Sequence, residues 1–366
     1  MRGTYQYWQC VLNCLGACSL LMALWTFMTG RDLETRWTYS PLTDPPTPFI
    51  KEHHPLSLTY PPTPIIKEHH LPSTYPPTSI IKERRLPLPI IKEHDLSTTA
   101  HRISKANGFV FLLFLNAGYV EMTKSFVCNL RSIKGGADML SHVIFVTTDD
   151  VTSQTLADFA PEVGGIFTNE FKHRNSDLNY GTYEYFRLTV ERVKMQQKLL
   201  NLGVHVVVIE ADATWFEDAD RVERLLRAEL TRHEVVSAHD NAGGMISAGF
   251  LGIASSNRTR KFFESYTNKY TAKLDNVPSK GRKSIGNVGE QHTMTEMLAT
   301  TDKDMAVKWL DTCQFARGQW YAQPQYRARC GMPWVLQNNY IVGNSAKIKR
   351  AKQWKHWFLE KETCIS

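Results

Sequence analysis

Glu210 and Asp212 follow the apolar run Val206-Val207-Val208-Ile209 and precede Trp215-Phe216. A run of β-branched residues this short and this apolar predicts a fully buried strand. On an extended backbone residues i and i+2 point to one side, so both carboxylates would face a single site at the strand's C-terminal end. Ligands of open α/β sheets bind in that place. Two hard oxygen donors beside a crevice suit a divalent cation that bridges phosphates. The competing expectation is plainer: a strand end needs a polar, turn-forming exit, and Asp supplies one.

The elements around this pair follow from periodicity. Phe109–Leu115 reads as a central strand ending at Asn116, and residues 119–133 as a helix with Met122, Phe126 and Leu130 on one face. Gly135-Gly136 breaks that helix. His142–Thr147 and Gly165–Thr168 read as strands flanking a short helix over Thr152–Phe159. A polar loop leads to a long helix over Tyr183–Leu202, and the carboxylate strand follows. Further strands are expected at Val235–Ala238, Met245–Ala254 and Val335–Val342. Helices are expected at Arg258–Tyr270, Gly289–Ala299 and Ser345–Leu359. Strands alternating with helices imply a mostly parallel sheet covered on both faces. No GxGxxG or Walker motif occurs, which argues against dehydrogenases and P-loop enzymes.

The chain has 366 residues, 42% apolar and 22% charged, with a formal net charge of +7. That length accommodates one α/β domain of roughly 250 residues plus appendages. The basic excess is moderate. Its densest run, Lys347-Ile348-Lys349-Arg350, reads as the solvated face of a helix. From Trp8 to Thr29 no residue is formally charged, and a helix of that length spans about 33 Å, enough to cross a bilayer. Its length and its bulky end argue for an uncleaved signal anchor over a cleaved signal peptide. Thirteen of 17 prolines fall between about residues 40 and 97, in a degenerate PPTP-IIKEHH repeat. Such a stretch disfavours helix and central strand and predicts an extended stem. Its His-His pairs lack a second ligand pair at fixed geometry. Cys10, Cys14 and Cys18 share one face of the anchor, while Cys128, Cys313, Cys330 and Cys364 lie beyond it. Four cysteines allow three complete pairings, and Cys313–Cys330 is the expected bridge because both flank a loop-like region. Asn257-Arg258-Thr259 is a glycosylation sequon.

The order of several motifs resembles one family. Asn116-x-Gly118-Tyr119, Arg187 within YFRLTVERVK, VVVIEADATWFED, ISAGFLGIASSNRTRKF, Glu290-Gln291 and QNNYIVGNSAKIKRAKQWKHWF stand collinear as in the nucleotide-diphospho-sugar transferases, similar to plant arabinosyl- and xylosyltransferases. The resemblance covers about residues 106–360. It implies the A-type glycosyltransferase fold, a Rossmann-like α/β domain. It also implies that the family's Asp-x-Asp, which holds manganese (or magnesium) on the donor diphosphate, corresponds to Glu210-Ala211-Asp212, with Asp212 the stronger ligand. By the same resemblance Asn116, Gly118 and Tyr119 would receive the nucleoside. Arg187 would neutralise phosphate, Glu290 and Gln291 would stand at the reacting carbon, and Asn338-Asn339 would complete the donor site. Two positions depart from the pattern: Glu210 replaces Asp, and Gln337 replaces a His that usually precedes the Asn pair. An amide is a poorer transition-metal ligand than an imidazole.

The expected organisation is a cytoplasmic tail over residues 1–7, a transmembrane anchor over 8–29, a disordered proline-rich stem over 30–105 and a transferase domain over 106–366. The expected protein is a single-pass type II Golgi membrane enzyme with its catalytic domain in the lumen. It would move a sugar from a nucleoside diphosphate, a UDP-sugar above all, to a hydroxyl of a glycan or glycoprotein. The alternative is a lumenal binding protein that keeps the fold without turnover, on the strength of Glu210 and Gln337. Nucleic acid is not an expected partner, given the anchor and the sequon.

Overall fold

The computed structural model describes residues 90–169, 178, 180–240, 244–277 and 288–365. The tail, the anchor and most of the stem expected from the sequence lie outside the described residues. Among those described, no helix is long and apolar enough to cross a membrane.

Seven strands make one sheet in the order β3-β2-β1-β4-β7-β6-β8. They are β1 (Val110–Leu115), β2 (Val143–Thr147), β3 (Gly165–Thr168), β4 (Val206–Val208), β6 (Val235–His239), β7 (Ile246–Ile253) and β8 (Val307–Trp309). Neighbours run parallel except around β7, which is antiparallel to both β4 and β6. The expected mostly parallel sheet is therefore present, with one reversed strand inside it. Alternation along β1 explains the layers. Phe111 and Leu113 enter one core cluster with Met122, Phe126, Leu156 and Val222. Val110 and Leu112 enter another with Leu96, Val190, Phe263 and Met294. The first cluster is covered by α2 (Val120–Ser132), α4 (Asp150–Phe159) and α6 (Ala219–Leu230). The second is covered by α1 (Glu93–Asn107), α5 (Tyr183–Asn201), α7 (Asn257–Asp275) and α8 (Glu290–Thr300), while α3 (Gly136–Leu140) is a single turn before β2.

Helix α1 was not expected, because the sequence assigns residues 30–105 to the stem. The last repeat unit loses its prolines after Pro89, and Leu96, Ala100 and Ile103 then recur at helical spacing. All three are buried, and Ile91 bridges to Phe167 on β3. The packed domain thus starts before residue 106.

A small second sheet joins β5 (Ala213–Trp215), β10 (Val335–Gln337) and β9 (Phe315–Ala316) in the order β5-β10-β9. Two short helices, α9 (Gln319–Ala322) and α10 (Pro324–Cys330), precede β10. Strand β10 is shorter than the expected Val335–Val342, since Tyr340 takes φ 58°. The backbone there turns away from the sheet, into a region costly for a bulky side chain. Helix α11 (Asn344–Gln353) also stops early, and the hairpin β11 (Leu359–Glu360) with β12 (Thr363–Cys364) closes the described fold. Cys313 is bonded to Cys330 as expected, and Cys128 of α2 is bonded to Cys364 of β12.

Candidate active site

Strands β1, β2 and β3 run out in one direction and β4 lies on the other side of β1, so the sheet order reverses between β1 and β4. Beyond the C-terminal ends of these two strands lies a small cleft of about 60 Å³, where such folds receive ligands. Tyr119, Tyr185, Arg192, Glu210, Asp212 and Lys347 line it. The two carboxylates therefore meet in one cleft, although not by strand alternation. Strand β4 ends at Val208, and Ala211-Asp212 form a turn closed by Ala213 N–H donating to the Glu210 carbonyl at 3.2 Å. The turn leads straight into β5, whose pairing with β10 fixes Asp212 beside the segment that follows Gln337. Asn338 N–H donates to the Asp212 carbonyl at 3.2 Å.

Each carboxylate has a cationic partner. Lys347 Nζ lies 2.5 Å from Asp212 Oδ2, with the Asp212 side chain only 3% exposed. Burial works against the Lys347 ammonium, yet the Asp212 and Glu210 carboxylates outweigh it and hold its pKa above the ordinary lysine value. Arg192 Nη1 donates to Glu210 Oε1 at 3.0 Å, and the same guanidinium makes a two-pronged pair with Glu290. Burial opposes the guanidinium too, but Glu290 and Glu210 raise its pKa well above the ordinary value, so Arg192 remains charged. Burial pushes the Glu290 carboxyl up, against the pull of Arg192. Tyr119 is also raised, by burial first, so its phenol enters the cleft neutral.

The remaining residues expected from the sequence fall into three groups. Asn116 caps the turn after β1, its Oδ1 accepting from Gly118 N–H at 3.1 Å, and Gly118 offers its carbonyl to Asn344 Nδ2 at 2.8 Å. Together they place Tyr119 at the cleft. Asn338 and Asn339 do comparable work on the opposite wall. Asn338 Nδ2 donates to the Lys347 carbonyl at 2.9 Å and its Oδ1 accepts from Arg350 Nε at 2.6 Å. Asn339 Oδ1 accepts from Gly318 N–H at 2.7 Å. At Gly318 an added Cβ would lie 1.9 Å from the Asn339 carbonyl oxygen, so only glycine fits.

Arg187 is not among the cleft-lining residues. At about 100° per residue, it sits roughly 200° around α5 from Tyr185, whereas Leu188, Thr189 and Arg192 share Tyr185's side. The arginine of this helix that lines the cleft is Arg192. Glu290 is likewise absent from the lining and buried against Arg192. Gln291 turns the other way, its Oε1 accepting from Ala248 N–H at 3.1 Å and its Nε2 donating to Asp240 Oδ2 at 3.0 Å.

The two departures from the family pattern converge on one point. An added Cβ on Gly249 would lie 2.2 Å from Glu210 Oε2 and 2.5 Å from Gln337 Nε2. The bare glycine on β7 makes room for the longer acidic side chain and the amide together. Gln337 Oε1 accepts from Ser247 Oγ at 3.1 Å, while its Nε2 is buried without a partner. Asp212 Oδ1 is buried and accepts no hydrogen bond either.

That spare oxygen bears on a metal. Among the described residues no group of three His, Cys, Asp or Glu side chains is arranged to hold an ion. Two carboxylates alone, one with an uncommitted oxygen, fit the hard-cation pattern in which substrate phosphates and water supply the other ligands.

Residues 138–351 match the model of the nucleotide-diphospho-sugar transferase family, more than half of the chain. The chain belongs to that family. A curated relative, the beta-arabinofuranosyltransferase RAY1 of Arabidopsis thaliana, is 23% identical over 277 residues, covering 72% of this chain and 50% of the relative. The chain therefore spans about half the length of the curated relative it matches. Similar solved structures include the glycosyltransferase GlyE of Streptococcus pneumoniae TIGR4, at 13% identity and TM-score 0.43 over 69% of this chain and 60% of that one. Apo mouse xyloside xylosyltransferase 1 is 12% identical with TM-score 0.39, over 63% of this chain and 98% of that one.

Proposed function

We propose that the protein is a glycosyltransferase that moves a sugar from a nucleoside diphosphate, a UDP-sugar, to a hydroxyl of a glycan or glycoprotein. The observation that carries this reading is the meeting of Glu210, Asp212, Arg192 and Lys347 in the cleft where the sheet order reverses. Acidic and basic side chains alternating around a phosphate-sized space suit a pyrophosphate with its cation. Tyr119 and the turn capped by Asn116 offer an aromatic face and backbone groups to the nucleoside. Asp212 and Glu210 would hold manganese or magnesium. Bound there, the ion would neutralise charge on the departing diphosphate.

The chain's own residues do the rest. Lys347 and Arg192 supply fixed positive charge at the place where leaving-group charge grows, in a partly dry cleft where such charge acts strongly. Glu290 fixes the Arg192 guanidinium in both position and plane, since a two-pronged pair specifies orientation as well as contact. Glu290 thus acts through Arg192.

Two disulfides support a site in an oxidising compartment, consistent with a Golgi-lumenal domain held by a type II single-pass anchor at residues 8–29. The exposed Asn257 of the sequon is in keeping with that topology. The decisive measurement is UDP binding with and without manganese. Asp212→Asn should abolish the manganese-dependent part, and unchanged metal dependence would remove the assignment. Release of UDP from UDP-sugars separates an enzyme from a pure binder.

A further inference from the structure

Asn129 lies inside the buried run 125–130 of α2, among Phe126, Val127, Cys128 and Leu130. Asparagine disfavours a helix interior, and its amide is costly to bury unpaired, yet here it is 2% exposed. Both ends of that amide go to one residue. Asn129 Oδ1 accepts from Trp215 N–H at 2.7 Å, and Asn129 Nδ2 donates to the Trp215 carbonyl at 3.0 Å. Two such bonds to a single residue are what an antiparallel strand supplies. Strand β5 stands at the edge of its sheet, next to β10 alone, so the Asn129 side chain takes the place of a second neighbour.

Trp215 is thereby fixed twice. Its side chain is fully buried, with the ring 6.0 Å from that of Phe111 on β1 and 6.1 Å from that of Phe250 on β7. Its backbone is gripped by Asn129. Asp212 stands three residues upstream, about 10 Å along an extended chain. Nearer to Asp212 the supports are Asn338 N–H on its carbonyl and Lys347 on its Oδ2. Behind it lies a cavity of about 20 Å³ whose wall includes Asn129, Asp212 and Thr214, room for about one water. Residues 212–214 are therefore not backed by close packing on that side. Loss of the clamp would leave two buried main-chain groups unpaired, and the cavity gives the strand room to shift.

Helix α2 also has Tyr119 as its N-cap. One helix thus sets the aromatic wall of the cleft and, through Asn129, the acidic turn. The Cys128–Cys364 bond ties the adjoining residue of that helix to β12.

We propose that Asn129 is the positioning residue of the acidic turn. Acting through the Trp215 backbone, it sets Asp212 so that the unpaired Oδ1 meets a cation carried by the donor. This inference rests on the donor reading of the Glu210–Asp212 cleft and adds to it a residue that does not line that cleft. Its substitution should act on cation binding, since groups that orient metal ligands are worth about 10–100-fold in affinity.

The test uses the full-length chain in detergent micelles, with UDP titrated by calorimetry at a series of manganese concentrations and in chelator. Asn129→Leu keeps the shape of the amide without donor or acceptor. Asn129→Asp keeps the acceptor for Trp215 N–H and loses the donor. The manganese concentration for half-maximal UDP binding should rise about 10–100-fold in Asn129→Leu and at least threefold in Asn129→Asp. UDP affinity in chelator should stay within twofold of wild type. Electron paramagnetic resonance of free manganese, which counts the bound ion directly, should rank the three proteins in the same order. Melting curves report folding, and Asn129→Asp carries the decision alone if Asn129→Leu does not fold. A merely structural clamp would lower the melting temperature and leave half-saturating manganese unchanged, or weaken UDP equally with and without the ion. Either result overturns the inference while the donor reading stands. A wild type that binds UDP no better with manganese than in chelator overturns the metal part of the donor reading and this inference with it.

Discussion

Replacing Gly249 by alanine tests the donor cleft at its tightest point. The φ of Gly249 lies outside the left-handed region, so the backbone accepts alanine without strain. The added methyl does not fit, lying 2.2 Å from Glu210 Oε2 and 2.5 Å from Gln337 Nε2 against a practical minimum of 3.0 Å. The carboxylate must retreat by about 0.8 Å or more, a displacement that flexible side-chain tips absorb at modest cost to stability, about 1–2 kcal/mol. Glu210 can move because its side chain is 28% exposed, but its Oε1 is tied to Arg192, so it moves as a pair. Displacing one ligand of a two-carboxylate site should weaken manganese-dependent UDP binding by about 10–100-fold, by analogy with the loss of groups that orient metal ligands. That is about 1.4–2.8 kcal/mol. Calorimetric titration of UDP with and without manganese reads the effect, and a melting curve reads the fold. A folded Gly249→Ala protein with manganese-dependent UDP affinity within twofold of wild type would refute the reasoning.

Two further substitutions probe the buried charges. Arg192→Met leaves Glu290 and Glu210 without their shared cation, and breaking a buried pair costs about 3–5 kcal/mol. Urea unfolding should show a loss of that order, and a loss below about 1 kcal/mol would mean the pair is not buried as described. His356 is buried, and burial lowers its pKa from 6.5 to about 4. The unfolded chain therefore binds a proton that the folded one refuses. Stability contributed by this group is untouched above pH 6.5, falls as pH descends towards 4, and levels off below. The full effect is about 3 kcal/mol. His356→Gln should flatten that acid limb in urea midpoints, whereas an unchanged slope would show that His356 titrates normally in the fold.

The sheet was legible because its strands are buried on both faces and read as unbroken apolar runs, Phe109–Leu115 and Val206–Ile209 above all. Helix α1 was hidden by the proline repeat that runs into it, although Leu96, Ala100 and Ile103 carry the spacing. The acidic pair was found for a partly mistaken reason, since a turn and not an extended strand brings Asp212 into line with Glu210. Its cations were missed. Lys347 lies in a basic run that reads as a solvated helix face, and only its phase with Asn344 and Ala351, both buried, marks it as inward. Arg192 carries a clearer signal, a charge set at i+4 from Leu188 and i−3 from Met195 within the apolar stripe of α5.

The bond between Cys128 and Cys364 spans 236 positions of sequence. While the ribosome is still building the later strands, the thiol on α2 has no native mate, whereas Cys313 finds Cys330 only 17 residues on. Maturation thus has a fixed sequence: the near staple can close early, and the far one must wait until nearly everything between its ends has emerged. A cell that makes this protein must keep one sulfhydryl guarded throughout that interval, and cleavage of the segment carrying β12 would leave it unguarded for good.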